Sequence, residues 1–260
     1  FGVFRVPDDE TQRAVEAALE SGYRAIDTAA IYENERGVGA ALAATGIARD
    51  ELFITTKVWN TEQGFDSTRA AFETSQEKLG LEIVDLYLIH WPTSDQTRRH
   101  ETWRALEQLK GQGAVRSIGV SNFNIEHLEP LLEQFETVPS INQVELHPRF
   151  QQGELRAFHE EHGIATEAWG PIGHANGTKE LLANEAIVTI AERLGRTAAQ
   201  VVLRWHVEVG NVVIPKSSKP ERIAENIALF DFELTDADHA AIDALDDPAG
   251  RNGTDPLDFD

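Results

Sequence analysis

The sequence predicts an α/β fold: a (β/α)8 TIM barrel of parallel strands, with residues 1–260 forming one domain. Three observations predict it. Eight apolar runs rich in β-branched and aromatic residues recur along the chain, and several are continuous, as strands buried on both faces should be. Helical patterns separate these runs and glycines close them, so that strand, helix, glycine, strand repeats about every 30 residues, the length of a βαβ unit. That order implies right-handed parallel crossovers. Finally, no glycine-rich phosphate turn follows the first strand, as it would in a doubly wound sheet. A length of 260 residues suits one barrel, since such barrels run to about 250 residues.

The strands are expected at Phe1–Val6, Tyr23–Ala29, Leu52–Val58, Val84–Trp91, Val115–Ser121, Ile141–Leu146, Ile164–Gly170 and Val212–Lys216. After the polar start Asp8-Asp9-Glu10, Ala14, Val15, Ala18 and Leu19 form a helical stripe. Gly37-Val-Gly39-Ala-Ala-Leu42 lies inside a helical pattern, lacks a third glycine and follows no strand. Its glycines are expected to let helices pack closely. Asp66 or Ser67 should cap the helix that carries Phe72 and Leu79. Thr197-Ala-Ala-Gln200 has capping-box spacing ahead of Val201, Val202 and Trp205. Gly22, Gly46, Gly80, Gly113, Gly163 and Gly210 fall where helices should stop.

Composition excludes several function classes. The chain has no cysteine, hence no disulfide, thiolate metal site or cysteine nucleophile. A net charge of −21 argues against nucleic acid and anionic membranes as partners. No apolar run approaches the roughly 20 residues that span a bilayer. Only six of the 23 basic residues are lysines, against 44 acidic residues. An acidic surface of this kind fits a cytoplasmic protein, and also adaptation to high salt, where self-repulsion is screened. No signal-peptide pattern opens the chain, and with no methionine at position 1 the coding product is expected to be longer.

In a barrel, reactive side chains gather at the C-terminal ends of strands. Three such ends carry titratable groups: Ile26-Asp27-Thr28, Thr56-Lys57-Val58 and Ile89-His90-Trp91. Aspartate and lysine in runs this apolar are costly unless paired. A structural ion pair would satisfy that cost, and a strand-end histidine is often a satisfied core group. Yet Tyr32 follows Asp27 in the loop above it, and the four together suit proton donation. A tyrosine with a pKa of about 10 holds its proton tightly near neutrality. An adjacent ammonium favours the phenolate. Asp27 would hold Lys57 charged, and His90 could donate a hydrogen bond to a carbonyl oxygen.

At this point a family resemblance is plain. Gly22-Tyr-Arg-Ala-Ile-Asp27-Thr-Ala-Ala-Ile-Tyr32-Glu-Asn-Glu35, Val84-Asp-Leu-Tyr-Leu-Ile-His90-Trp-Pro92 and Ile214-Pro-Lys216-Ser-Ser-Lys-Pro-Glu-Arg222, with Glu225-Asn226 beyond, resemble aldo-keto reductase motifs in the family's order. The resemblance runs from Phe1 to about Asp243 and is nearest to the prokaryotic 2,5-diketogluconate reductase-like branch. It implies NADPH-dependent reduction of aldehydes and ketones, with a tetrad of Asp27, Tyr32, Lys57 and His90 and Tyr32 as general acid; the chain is expected to be a monomer. It also implies that Ser121, Asn122 and Gln143 hold the nicotinamide carboxamide, Trp169 stacks on the ring, and Gly170, Pro171 and Ile172 follow the pyrophosphate. Family members usually carry an N-terminal hairpin under the barrel. This chain starts in the first barrel strand, so that hairpin is expected to be absent. Its tail Arg251–Asp260 is short beside relatives with long C-terminal substrate loops.

The other end of the cofactor can be argued from residues. Lys216-Ser217-Ser218-Lys219-Pro220 leads into a helix after the eighth strand, where barrels often bind phosphate. Backbone amides, hydroxyls and the helix dipole favour an anion there. Lys216, Lys219 and Arg222 put three cations in seven residues, which suits a 2′-phosphate and so NADPH, with NADH bound more weakly. The resemblance sets Arg222 on that phosphate and Glu225 and Asn226 near the adenine. Phe4, Trp59 and Trp91, with Ile31, are expected to wall the substrate pocket.

His159-Glu-Glu-His162 has i, i+3 spacing, not the i, i+4 of a zinc-protease helix. It is expected on a polar helix face, and no metal site is expected. Gly119-Val-Ser121-Asn lacks the second glycine of a hydrolase nucleophile elbow. Two other readings remain open: a non-catalytic nicotinamide-nucleotide-sensing regulatory subunit, and a lyase or isomerase using Lys57 as a Schiff base.

Overall fold

Each strand of the sheet pairs in parallel with the next in sequence. In the computed structural model, which describes residues 1–174 and 177–259, the strands are β1 (Ala25–Asp27), β2 (Phe53–Val58), β3 (Val84–Ile89), β4 (Val115–Ser121), β5 (Ile141–Glu145), β6 (Ala165–Trp169) and β7 (Val212–Val213), in that spatial order. The barrel closes through the N-terminal segment. Val3 N donates to Asp27 O at 3.1 Å and Asp27 N to Phe1 O at 2.8 Å, while Gly2 N donates to Pro215 O at 3.1 Å across the seam.

The expected first strand, Phe1–Val6, is therefore a single parallel bridge at Gly2. Val6 N turns back onto Val3 O at 3.0 Å, and Arg5 takes a φ of 57°. This tight turn lifts Phe4 out of the barrel wall. The expected Val212–Lys216 strand shortens to two residues, because Pro215 has no N–H to continue the ladder. Tyr23–Ala29 shortens at both ends: Tyr23 N is used by Ala18 O at the helix end, and Ala30–Tyr32 coils into a 3-10 turn.

Eleven helices are described: α1 (Asp8–Glu20), α2 (Glu35–Ala44), α3 (Phe65–Leu79), α4 (Gln96–Gly111), α5 (Ile125–Gln134), α6 (Gly153–His162), α7 (Gly177–Leu182), α8 (Glu185–Leu194), α9 (Ala198–Glu208), α10 (Pro220–Ile227) and α11 (Asp236–Asp243). The stripe predicted for α1 is the buried one. Gly37 and Gly39 are packing positions, as expected. A Cβ at Gly37 would lie 2.7 Å from Asp8 O, and one at Gly39 would lie 2.6 Å from Lys78 O. The Thr197 capping box forms, with Gln200 N donating to Thr197 Oγ1 at 3.2 Å and Thr197 N to Gln200 Oε1 at 3.1 Å.

Three local expectations are corrected. Helix α3 starts at Phe65 behind Gly64, not at Asp66 or Ser67. Ser67 Oγ instead donates back to Gln63 O at 3.0 Å. Gly46 does not stop α2, which ends at Ala44 with Thr45 extended; Gly80 and Gly163 do cap α3 and α6 in the left-handed conformation. His159 is not on a polar face. It is buried against Asn142 Nδ2 (3.0 Å) and Thr166 Oγ1 (2.9 Å), so it helps seat α6 on the barrel. Among the described residues no cluster of His, Asp or Glu could hold a metal, and no helix is long and apolar enough to cross a membrane.

Candidate active site

The titratable side chains meet at the mouth formed by the C-terminal strand ends. Asp27 ends β1, Lys57 lies next to the end of β2, His90 follows β3, and Tyr32 closes the 3-10 turn after β1. Register explains the first pair. Asp27 faces Thr55 across the ladder, and Lys57, two residues on, lies on the same face of β2. Lys57 Nζ donates to Asp27 Oδ1 at 2.7 Å and to Thr28 O at 2.9 Å. The lysine is fully buried and Asp27 is 4% exposed. The ammonium lies 5.1 Å from the Tyr32 ring centroid.

Asn34, which the sequence reading did not single out, holds the Tyr32 loop in place. It is fully buried. Thr28 Oγ1 donates to its Oδ1 at 2.8 Å, and its Nδ2 donates to Val3 O and Val6 O at 2.9 and 3.0 Å. One amide thus ties the Tyr32 loop to the segment that closes the barrel. Its signal in the sequence was a polar residue just ahead of an apolar helix, which reads equally as a helix cap.

Electrostatics in this mouth differ from simple pairing. Burial pushes the Tyr32 phenol above 10, Lys57 pulls it down through charge and a hydrogen bond, and Asp27 and Glu167 push it up again. The net direction is up, opposite to the expectation from Lys57 alone. Desolvation of a phenolate outweighs one ammonium that is itself shared with a carboxylate. Tyr32 is therefore protonated at neutrality, as a proton donor must be. Burial, with Lys57 beside it, holds His90 well below 6.5, so its imidazole is neutral. His90 packs edge-on against Tyr32 (5.5 Å) and Trp59 (5.1 Å).

Ser121, Asn122, Gln143 and Trp169 line the adjoining wall. Trp169 Nε1 donates to Asn122 Oδ1 at 2.7 Å, and Asn122 Nδ2 donates to His90 O at 2.9 Å and to Ser121 Oγ at 3.0 Å. Ser121 Oγ donates to Gln143 O at 2.8 Å. Gln143 Nε2 donates to Asp27 Oδ2 at 2.8 Å and to Glu167 Oε2 at 2.6 Å. The N–H groups of Asn122 and Gln143 and the Ser121 hydroxyl are all engaged within this set, so what it turns toward a carboxamide-bearing aromatic ring is acceptor oxygens beside a flat indole. Gly170 turns with a φ of 58°, and Gly173 N donates back to Gly170 O at 2.8 Å around Pro171 and Ile172. Buried His206 bonds Pro171 O at 2.9 Å and fixes that turn from behind.

The basic segment lies at the start of α10. Lys216, Ser218, Lys219 and Arg222 are exposed and Ser217 is buried, with Lys219 N donating to Ser217 Oγ at 3.1 Å. None of Lys216, Lys219 and Arg222 pairs with a carboxylate among the described residues. In a chain of net charge −21, unneutralised cations at a helix start fit a phosphate. Glu225 accepts from Thr197 Oγ1 at 2.9 Å, and Asn226 is buried on the inner side of α10.

The four expected pocket residues divide. Phe4 sits 5.0 Å from the Tyr32 ring and is 43% exposed. Ile31 is exposed beside it, while Trp59 and Trp91 are half-buried. Between the tryptophans lies a residue the sequence reading did not name: Phe259 stacks on Trp91 at 4.3 Å and meets Trp59 edge-on at 5.9 Å. The tail reaches there from an anchor on Glu145, whose buried carboxylate accepts from Asn252 N at 2.6 Å and Gly253 N at 2.8 Å. Those two bonds and His147 hold Glu145 below the usual glutamate value despite burial. Asp260, the last residue of the expected tail, lies outside the described residues.

Comparison with known proteins gives the same assignment throughout the chain. The sequence model of the Aldo/keto reductase family matches residues 2–247. The glyoxal reductase of Bacillus subtilis is 52% identical over 255 residues, covering 97% of this chain and 90% of its own length. The methylglyoxal reductase DkgA of Yersinia pestis is 51% identical over 256 residues, covering 98% and 91%. Among solved structures, the aldo-keto reductase MGS-M4 from a Medee basin deep-sea metagenome superposes with a TM-score of 0.97 at 43% identity, covering 100% of this chain and 94% of that one. A point mutant of Gox0644 in complex with NADPH gives a TM-score of 0.94 at 49% identity, covering 100% and 93%. With the barrel, the mouth and these matches in agreement, the chain belongs to the aldo/keto reductase family.

Proposed function

We propose that residues 1–260, as one barrel domain, reduce aldehydes and ketones to alcohols with NADPH, Tyr32 acting as general acid. The observation that carries this reading is the buried Asp27–Lys57 pair against the half-buried Tyr32, with a neutral His90 beside it in one mouth. When bound, the cofactor supplies a hydride from C4 of its nicotinamide to the carbonyl carbon. As negative charge grows on the carbonyl oxygen, the Tyr32 phenol gives up its proton to that oxygen. Lys57 stabilises the phenolate left behind, and Asp27 with Thr28 O keeps the ammonium charged and aimed. Neutral His90 donates a hydrogen bond to the same oxygen and orients the carbonyl.

Ser121, Asn122 and Gln143 hold the carboxamide and Trp169 stacks on the ring. Gly170, Pro171 and Ile172 follow the pyrophosphate, while Lys216, Ser217, Ser218, Lys219 and Arg222 grip the 2′-phosphate, and Glu225 and Asn226 flank the adenine. Phe4, Ile31, Trp59 and Trp91, with Phe259, enclose the substrate. Small dicarbonyls of the glyoxal and methylglyoxal type are the substrate class we propose, on the names of the two half-identical reductases. The 2,5-diketogluconate reductase-like branch, the monomeric state and the cytoplasmic location belong to the same proposal.

The test is to mix the protein with NADPH and methylglyoxal, then with an aromatic aldehyde, and follow oxidation of the reduced nicotinamide. Turnover supports the reading. Cofactor binding without turnover across a broad carbonyl panel returns the nucleotide-sensing alternative. For the cofactor itself, Arg222→Ala should weaken NADPH by roughly 2 kcal/mol, about 30-fold, as expected for losing a charge-assisted bond. NADH should be nearly unaffected; equal losses for both would remove the 2′-phosphate assignment.

A further inference from the structure

Glu167 has no step in the proposed reaction, yet its carboxylate shares the Gln143 amide with Asp27. It lies on β6 two residues before Trp169, hence on the same inward face, and it is 6% exposed. Its register partner on β5 is Gln143. That single amide nitrogen donates to Glu167 at 2.6 Å and to Asp27 at 2.8 Å, which spends both of its N–H bonds. Asp27 in turn accepts from Lys57 at 2.7 Å. An unbroken line therefore runs Glu167–Gln143–Asp27–Lys57, with two carboxylates facing one ammonium in a water-poor interior.

We propose that Glu167 is a positioning residue for the reaction described above, a role that rests on that reading of the site. It fixes the Gln143 amide with nitrogen inward, which leaves the Gln143 oxygen to accept from the cofactor carboxamide. Its charge also sets how readily Tyr32 releases a proton.

The groups that face Glu167 are Asp27 from β1, Lys57 from β2, Gln143 from β5 and Tyr32 above. The neighbouring β7 residue paired with it is Val212, which brings no charge. Burial, then repulsion by Asp27, pushes the Glu167 carboxyl up to about 7. Below that value Glu167 is neutral and Asp27 balances Lys57. Above it an extra negative charge faces the phenol and raises it further. Proton donation then becomes harder, so carbonyl reduction slows as pH rises through about 7.

Two variants separate the two parts of the role. In Glu167→Gln the charge is gone, so the fall in kcat across neutrality should flatten by roughly threefold or more. In Glu167→Ala the acceptor is gone as well, and the Gln143 amide is free to turn. NADPH binding, read by quenching of tryptophan fluorescence, should weaken about tenfold, and Glu167→Gln, whose amide oxygen still accepts, should recover most of it. Melting midpoints check that each variant is folded. A wild-type pH profile in Glu167→Gln overturns the charge role, and wild-type NADPH affinity in Glu167→Ala overturns the orientation role. If Tyr32→Phe is inactive while both Glu167 variants behave as wild type, this inference fails and the reductase reading stands. If Tyr32→Phe stays fully active, that reading itself fails.

Discussion

At the residue scale, the site is a set of groups that are unsuited to their places one by one. Lys57 is fully buried, and its charge is tolerated because Asp27 and Thr28 O meet it at 2.7 and 2.9 Å. Lys57→Met should abolish carbonyl reduction nearly as thoroughly as loss of the phenol. It should also cost about 3–5 kcal/mol of stability by leaving Asp27 buried without its partner, so activity is to be read against the folded fraction from a melting curve. Reduction at the parent rate in folded Lys57→Met would contradict the role given to the ammonium. Asp27, Lys57 and His90 were legible in the sequence because charged groups in apolar runs demand a reason. The same rule applied to Glu167 inside Ile164–Gly170 and to Glu145 inside Ile141–Leu146, where the apolar pattern was read and the acid passed over. The upward shift of Tyr32 was not legible at all. It is a balance between burial and nearby charges on Lys57, Asp27 and Glu167, set by how residues far apart in the chain meet in the fold.

At the element scale, the helical segments were easier to read than the strand ends. The Gly37 and Gly39 reading rested on their place inside a helical pattern, and the packing distances follow from it. Gly39→Ala puts a Cβ 2.6 Å from Lys78 O and 2.8 Å from Leu79 O, both backbone atoms that cannot turn aside. Overpacking of this kind should cost about 1–3 kcal/mol, read as a lower melting midpoint; an unchanged midpoint would mean that α2 and α3 are free to separate. The first strand was misread for a local reason. Phe1–Val6 is apolar enough for a strand, but Arg5 adopts a left-handed φ of 57° and turns the chain after one bridge, a choice that no residue type in the run announces. The C-terminal tail was invisible for another reason. Its anchor is backbone N–H of Asn252 and Gly253 on Glu145, far apart in sequence, and backbone donors leave no mark on composition.

At the scale of the whole molecule, acidic residues outnumber basic ones almost two to one. The chain has 44 acidic and 23 basic residues, yet Lys216, Lys219 and Arg222 stand exposed around the start of α10. Under the proposed function, such a patch in a net-negative chain would steer an anionic cofactor to one place. The same excess of carboxylates repels itself at low ionic strength, and salt screens that repulsion within about 10 Å at 0.1 M. The salt adaptation expected from the sequence predicts that the melting midpoint rises steadily from low to multi-molar KCl. A midpoint independent of salt would remove that reading.

The central claim is that the Tyr32 phenol supplies the proton. Its most direct test is single-turnover reduction of methylglyoxal by Tyr32→Phe with NADPH bound, tryptophan fluorescence reporting the occupancy. The expected rate is lower by about 100- to 10,000-fold, the contribution of a positioned general acid, in a protein that still takes up the cofactor. Reduction at the parent rate with the phenol gone would contradict it.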